Sequence, residues 1–373
     1  MSDDTPTPDQ APGAPHPRET LRLFGQDAAE QTFLTAYTSE RLHHGWLLTG
    51  PRGVGKATLA WRIARFLLAT PPVEDDGLFG APPPPESLDI DPEHPVANRI
   101  LAGAEPGLAA ITRSLNDQGR LRNEIVVDDI RKLGKFFGLS STDGGRRVVI
   151  VDAADEMNVS AANALLKMLE EPPARTTLLL ISHQPSRLLP TIRSRCRTLR
   201  LSPLGPKDME AALMQTGAEI PASTDHLAAL AAGSVGDAVR LINLGGLEIY
   251  AELIAILGTL PRMDRQRALA LAEAAAQRGA AERFELLLTL IDVALSRLAM
   301  TGATGAPLLP EAALNEAETL ARLSPSPHQA RKWAEVAAMI TARARHGQAV
   351  NLDPAALVLD TVFKIQETAG QSR

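Results

Sequence analysis

The sequence predicts an α/β domain with a parallel sheet, followed by an all-helical remainder. Three observations carry this. Short apolar runs alternate with amphipathic helical stretches from about residue 21 to residue 204. One of these runs, "GWLLTG", leads straight into the glycine-rich loop "GPRGVGK" and then into a helical pattern. After Leu204 the strand signals cease, and the chain to about residue 368 is Ala/Leu-rich with helical period.

Taken in order, residues 1–18 ("MSDDTPTPDQAPGAPHP" and on) are polar and proline-rich and read as a disordered tail, with none of the basic and apolar regions of a signal peptide. "QDAAEQTFLTAYTSE" places Ala29, Phe33, Leu34 and Tyr37 at helical spacing. "GWLLTG" is the first buried strand, and "KATLAWRIARFLLAT" is a helix with Leu59, Ile63, Phe66 and Leu67 on one face. That helix stops at Pro71-Pro72, and residues 71–95, with "APPPPES", read as an irregular insertion. "LAAITRSL" is a candidate second strand, and "VVDDIRKLGKFF" a helix with Val127, Ile130, Leu133 and Phe137 in register. "RRVVIVDAADEM" gives an apolar strand over 148–151 that ends in Asp152, and "SAANALLKMLEEPP" a helix stopped by Pro172. "TTLLLISHQ" and "TLRLSPL" are further strands. The helical remainder is broken near residues 245–246, 261, 302–310 and 325–327.

Composition narrows the function classes. Hydrophobic residues are 45% and aromatics 3%, so the cores are built from Ala, Leu, Ile and Val. The formal net charge of −6 excludes a broadly basic nucleic-acid binder, leaving only local or partner-mediated contact. A single cysteine, Cys196, excludes an internal disulfide and a four-cysteine zinc site, and suits a reducing cytoplasm. No run of 18 uninterrupted apolar residues is present, so no membrane span is expected.

The chemistry-bearing loop fits G-x-x-x-x-G-K-[ST] at Gly50, Gly55 and Lys56, with Gly53 between them. Such glycines let the backbone wrap a phosphate, and the following helix aims its N–H groups at the anion. The next position should carry the hydroxyl that binds Mg²⁺, and here it is Ala57. Thr58 lies about 100° further round the helix and does not replace it. The second nucleotide element, an apolar strand ending in Asp-Glu, is half present: Asp152 stands, and Ala153 follows it. A buried strand ending in a capping Asp also accounts for part of that signal.

"LFGQDAAEQTF", "LHHGWLLTGPRGVGKATLA", "NALLKMLEEPP" and "LLPTIRSRCRTLRL" together resemble the bacterial clamp-loader subunits of the AAA+ class, the delta-prime subunits of DNA polymerase III nearest among them. The likeness covers residues 21–203 well and the helical remainder more loosely. It implies an AAA+ ATPase-like domain over 19–204, a small helical lid over 205–248 and a helical collar over 249–373. It also implies a cytoplasmic place in a hetero-oligomer with gamma/tau-like and delta-like subunits, the sliding clamp and, through the complex, primed DNA. The ATPase members carry the loop hydroxyl, the Asp-Glu pair, a threonine at the sensor strand end and a lid arginine. This chain has Ala57, Ala153, Ser182-His183 and Gly236 there. The resemblance therefore implies a subunit that does not hydrolyse ATP, needs no cofactor and keeps a degenerate nucleotide site (Gly50, Gly53, Gly55, Lys56, Thr58, Asp152). The cysteine-rich zinc module of many relatives is replaced by the 71–95 insertion.

The resemblance implies a role for one further residue. In "RSRC" the arginine between Ser and Cys, Arg195, corresponds to a finger that reaches a neighbour's ATP site. On the residues alone, Arg193, Arg195, Arg197 and Arg200 equally suit a solvated basic edge. An active ATPase subunit and a free-standing P-loop switch are the alternative functions. His43-His44 are expected to diverge and so to hold no metal, "AGSVG" lacks the strand that a nucleophile elbow needs, and Trp333 reads as core.

Overall fold

The computed structural model describes residues 8–39, 42–70, 83–138, 145–221, 224–277 and 279–371. They form two units, one of residues 1–217 with 233–236, the other of 218–232 with 237–373.

In the first unit the order is α1 (Asp27–Thr38), β1 (Gly45–Thr49), α2 (Lys56–Ala69), α3 (Pro95–Leu101), β2 (Leu108–Ile111), α4 (Val127–Gly138), β3 (Arg147–Val151), α5 (Val159–Glu170), β4 (Thr176–Ser182), α6 (Pro190–Ser194), β5 (Arg197–Arg200) and α7 (Pro206–Thr216). The strands make one parallel sheet in the order β2-β3-β4-β1-β5. This is the expected α/β arrangement, a parallel sheet flanked by helices. Helices cover both faces. Ile130, Leu133, Ala161, Leu165 and Leu169 pack on Leu47, Val149, Val151, Leu178 and Leu180, while α2 lies against β1, β3 and β4 on the other side. Central strands buried on both faces read as unbroken apolar runs, as β1 and β4 do, whereas the edge strand β5 buries only Leu199. Register brings Thr49 beside Ser182 on one side and beside Arg200 on the other. The loop after β1, Asp152 after β3 and His183 after β4 thus meet at the carboxyl edge of the sheet, where open α/β sheets bind ligands.

Residues 8–18 depart from the expected disordered tail. His16 is buried, with its ring edge-on to Trp61 at 5.6 Å and its Nε2 3.1 Å from Asp9. The proline-rich composition hid this packing, because prolines lower the entropy lost on ordering as well as marking irregular chain. Of the 71–95 insertion, residues 71–82 lie outside the described residues. Residues 83–94 are irregular and tied to α2 by Arg62, which pairs with Asp89 at 3.1 Å and with Glu30 of α1 at 2.8 Å. The helix α3 follows at once, with Pro95 at its first turn and His94 accepting from the Val96 N–H.

The second unit is helical: α8 (Thr224–Ala231), α9 (Val235–Asn243, its first residues in the first unit), α10 (Gly246–Gly258), α11 (Arg265–Ala275), α12 (Ala281–Thr304), α13 (Glu316–Leu323), α14 (Pro327–Ala349) and α15 (Pro354–Gly370). The main packings are α12 on α14 and α11 on α15. Trp333 is fully buried and donates from Nε1 to the Leu323 carbonyl at 3.0 Å, as core residues do. Among the described residues one helix, α12, is long and apolar enough to cross a membrane by length and composition, although its sequence holds no run of 18 uninterrupted apolar residues. Half of that stretch is buried within the fold. Its Arg297 also ion-pairs with Glu316 of α13 at 2.7 Å, and Tyr250 of α10 donates to the same carboxylate at 2.6 Å.

Candidate functional site

The loop between β1 and α2 has the shape that its glycines allow. Gly53 and Gly55 hold φ of +71° and +97°, a region closed to most side chains. Gly53 is also crowded: a Cβ there would overlap Ser234 Oγ, and its carbonyl accepts from the N–H groups of Val235 at 2.9 Å and Gly236 at 3.3 Å. The start of α9 therefore sits directly on the phosphate-binding loop. Position 236, where an ATPase would carry its lid arginine, is glycine and lies close against the loop: a Cβ there would come 3.2 Å from Gly53 Cα, so a side chain would need a shift of a few tenths of an ångström.

Lys56 is buried and turned back on its own loop, donating to the Gly50 carbonyl at 2.8 Å and to the Pro51 carbonyl. Burial pulls its ammonium down to about 8, against the pull of Asp152 and Asp155. Burial pushes the Asp152 carboxyl up to about 7; Asp9 and Glu156 add to the rise and Lys56 opposes it. Ala57 and Thr58 follow on α2, both half-buried.

The sign of the Asp152 shift gives a stability prediction. A carboxyl raised from 3.8 to about 7 binds its proton more tightly in the folded state, so stability is greatest at low pH and falls as pH rises through that window. Asp152→Asn removes this pH dependence. At about 1.4 kcal/mol per unit, urea unfolding should show the variant gaining roughly 2–3 kcal/mol on the wild type between about pH 5 and pH 8. A pH-independent difference would remove Asp152 as the cause.

The carboxylates beyond β3 are already engaged. Asp155 accepts from the backbone N–H of His183 at 3.0 Å and of Gln184 at 3.1 Å, which fixes the end of β4. Burial, then the charges of Lys56 and Arg52, pulls the His183 imidazole down to about 4. Glu156 is held by Arg52 at 3.0 Å and Arg113 at 2.9 Å. Neither partnership is visible in the sequence, because each joins residues far apart along the chain.

Arg195 lies elsewhere, as the C-cap of the five-residue helix α6. Its guanidinium is 37% exposed, paired with Glu170 of α5 at 2.9 Å and donating to the Thr191 carbonyl at 3.2 Å. Its neighbours differ in use: Arg197 lies over the Trp46 ring at 5.3 Å. Cys196 packs inward, and burial pushes its thiol up to about 12. The site residues thus form two groups. Gly50, Gly53, Gly55, Lys56, Thr58 and Asp152 gather at the carboxyl edge of the sheet, whereas Arg195 stands at the other end of β5.

The expectation that His43 and His44 diverge is corrected: their rings stack with centroids 4.5 Å apart. Their nitrogens face backbone, His43 Nδ1 at Gly45 and His44 Nε2 at the Leu169 carbonyl 2.9 Å away. Among the described residues no group of three metal-binding side chains occurs. Ser234 of "AGSVG" follows helix α8, not a strand.

Residues 25–205 match the model of the family described as DNA polymerase III, delta subunit. The delta' subunit of Pseudomonas aeruginosa is 38% identical over 57% of this chain and 59% of its own length. The tau subunit of Escherichia coli is 27% identical over 75% of this chain and 41% of its own. A gamma subunit-related protein of Thermotoga maritima, of solved structure, is 18% identical, with a TM-score of 0.44, over 90% of this chain and 99% of its own. The chain spans about three fifths of the length of the delta' relatives it matches. Over the whole sheet-bearing segment the chain is thus similar to the DNA polymerase III delta-subunit family, and it is similar to named delta' subunits.

Proposed function

We propose that the chain is a delta'-type subunit of the DNA polymerase III clamp loader. It does not turn over ATP itself, and it presents Arg195 to the ATP site of a neighbouring subunit while the sliding clamp is loaded during replication. Its partners on this reading are gamma/tau-like and delta-like subunits, the clamp and, through the complex, primed DNA. Residues 205–248 act as the lid and residues 249–373 as the collar that joins the ring.

The observation that carries the reading is the contrast between the two groups of residues. At the nucleotide site Lys56 is tied to its own loop, positions 57 and 153 are alanine, Glu156 is ion-paired, and Gly236 leaves no lid arginine. Arg195 keeps an exposed guanidinium on a rigid element. A planar, permanently charged fork is the group best suited to stabilise a transferring phosphoryl. ATP and ADP bind weakly or not at all, and no cofactor is required.

The isolated chain is expected to hydrolyse ATP at background rate, and to raise turnover when added to the other loader subunits with clamp and primed DNA. Steady turnover by the pure chain that Lys56→Ala abolishes would replace this reading with that of an active gamma/tau-like ATPase. Failure to join the other subunits would point to a free-standing nucleotide switch.

A further inference from the structure

The N-terminal segment is anchored along the nucleotide site at three places. Along α2, Arg65 donates to the Arg18 carbonyl at 2.8 Å, Arg62 donates to the Leu21 carbonyl, and Leu23 lies where a Cβ on Gly55 would go. Further back, His16 is wedged edge-on to Trp61, and the Asp9 carboxylate holds its outer nitrogen, both side chains being about nine-tenths buried. Between them the chain turns: Ala14 N–H donates to the Ala11 carbonyl at 3.0 Å, Gln10 closes on the Ala14 carbonyl at 2.7 Å, and Gly13 takes a φ of +76°. At the tip of the turn Ala11 lies 3.9 Å from where a Cβ on Gly236 would stand, and Gly236 itself rests on Gly53 of the phosphate-binding loop. The charge of Asp9 also raises the Asp152 carboxyl.

From these contacts we infer that residues 9–16 are an intrachain cover of the P-loop, a proline-stiffened peptide that docks beside Gly53 and Gly236 and competes with a nucleoside triphosphate for that space. The prolines at 12, 15 and 17 suit the segment to this use, since a chain already restricted when unbound loses less entropy on docking. The cover goes beyond the proposed function: it concerns this chain's own nucleotide site, and nothing in it depends on Arg195.

A site covered nine-tenths of the time shows an affinity lowered about tenfold. The test uses the full chain and a fluorescent ATP analogue, titrated with and without Mg²⁺. Asp9→Asn with His16→Ala removes the ion pair and the ring contact, and should tighten binding by about tenfold or more. Lys56→Ala added to that pair should cancel the gain. Asp9→Asn alone, which leaves the ring contact, should give a smaller rise in the same direction. Trp61 emission and faster amide exchange over residues 9–20 report release of the segment, and far-ultraviolet circular dichroism reports that the domain remains folded. Unchanged binding after release, no binding by any variant, or weaker binding that makes the segment part of the nucleotide pocket would each overturn the inference. Loss or retention of finger activity in the assembled loader has no bearing on these outcomes.

Discussion

On the proposed function, Arg195→Ala is expected to leave the chain assembled with the other loader subunits and to silence one ATP site of the ring. A guanidinium that neutralises charge on the transferring phosphoryl is worth about 10³–10⁵ in rate where it is the dominant contribution. Total turnover by a loader with several sites falls only partly, because the other sites keep their own fingers. Arg195→Lys should recover little, since a point charge does not reproduce the two parallel hydrogen bonds of the fork. Assembly survives because Arg195 caps α6 on the first unit, with only Glu170 and the Thr191 carbonyl as partners. The measurement is clamp- and DNA-stimulated ATP hydrolysis by the reconstituted loader, run beside gel filtration of the same complexes. Wild-type turnover from an intact Arg195→Ala complex would return the four arginines to a solvated basic edge.

Arg297→Met should destabilise the helical unit by about 3–5 kcal/mol. Glu316 is 1% exposed and accepts from four donors: Arg297 Nε at 2.7 Å and Nη2 at 3.0 Å, Tyr250 Oη at 2.6 Å and the Ala312 N–H at 2.6 Å. Removing the guanidinium leaves the carboxylate buried without its countercharge, a state costlier than having no ion pair at all. Glu316→Gln should therefore cost less than Arg297→Met, and Arg297→Met combined with Glu316→Leu should regain much of the loss. Urea unfolding of the full chain, followed through Trp333 for this unit, reads the difference. Equal stability of Arg297→Met and wild type would show that the pair does not hold α10, α12 and α13 together.

Where the physics is local or periodic, the sequence spoke clearly. Strands β1, β3 and β4 announced themselves because burial on both faces leaves no polar residue to interrupt them. Helices α2 and α5 showed apolar residues at helical spacing, and the phosphate-binding loop stood between a strand and a helix as its chemistry requires. The missing groups at 57, 153 and 236 were legible as simple letters. What stayed hidden depends on pairs distant in sequence. Glu156 gives no sign that Arg52 and Arg113 will hold it, nor Glu170 that it will face Arg195. The helix α6, five residues long, is too short to show a period. The N-terminal segment misled for a different reason, since acidic, proline-rich composition describes an unordered tail and a stiff docked peptide equally well.

The inward packing of Cys196 has a practical outcome for handling the protein. It is the only thiol in the chain, and burial holds it up to about 12, far from the thiolate form that reacts with maleimides at neutral pH. A Cβ on Gly45 would stand 3.3 Å from its sulfur, so β1 shields one side of it. Half-buried Cys196 is therefore expected to react slowly with maleimides in the folded protein, which thiol titration before and after unfolding would measure. A single serine-to-cysteine change on an exposed surface would then give a chain labelled at one chosen place, suited to distance measurements.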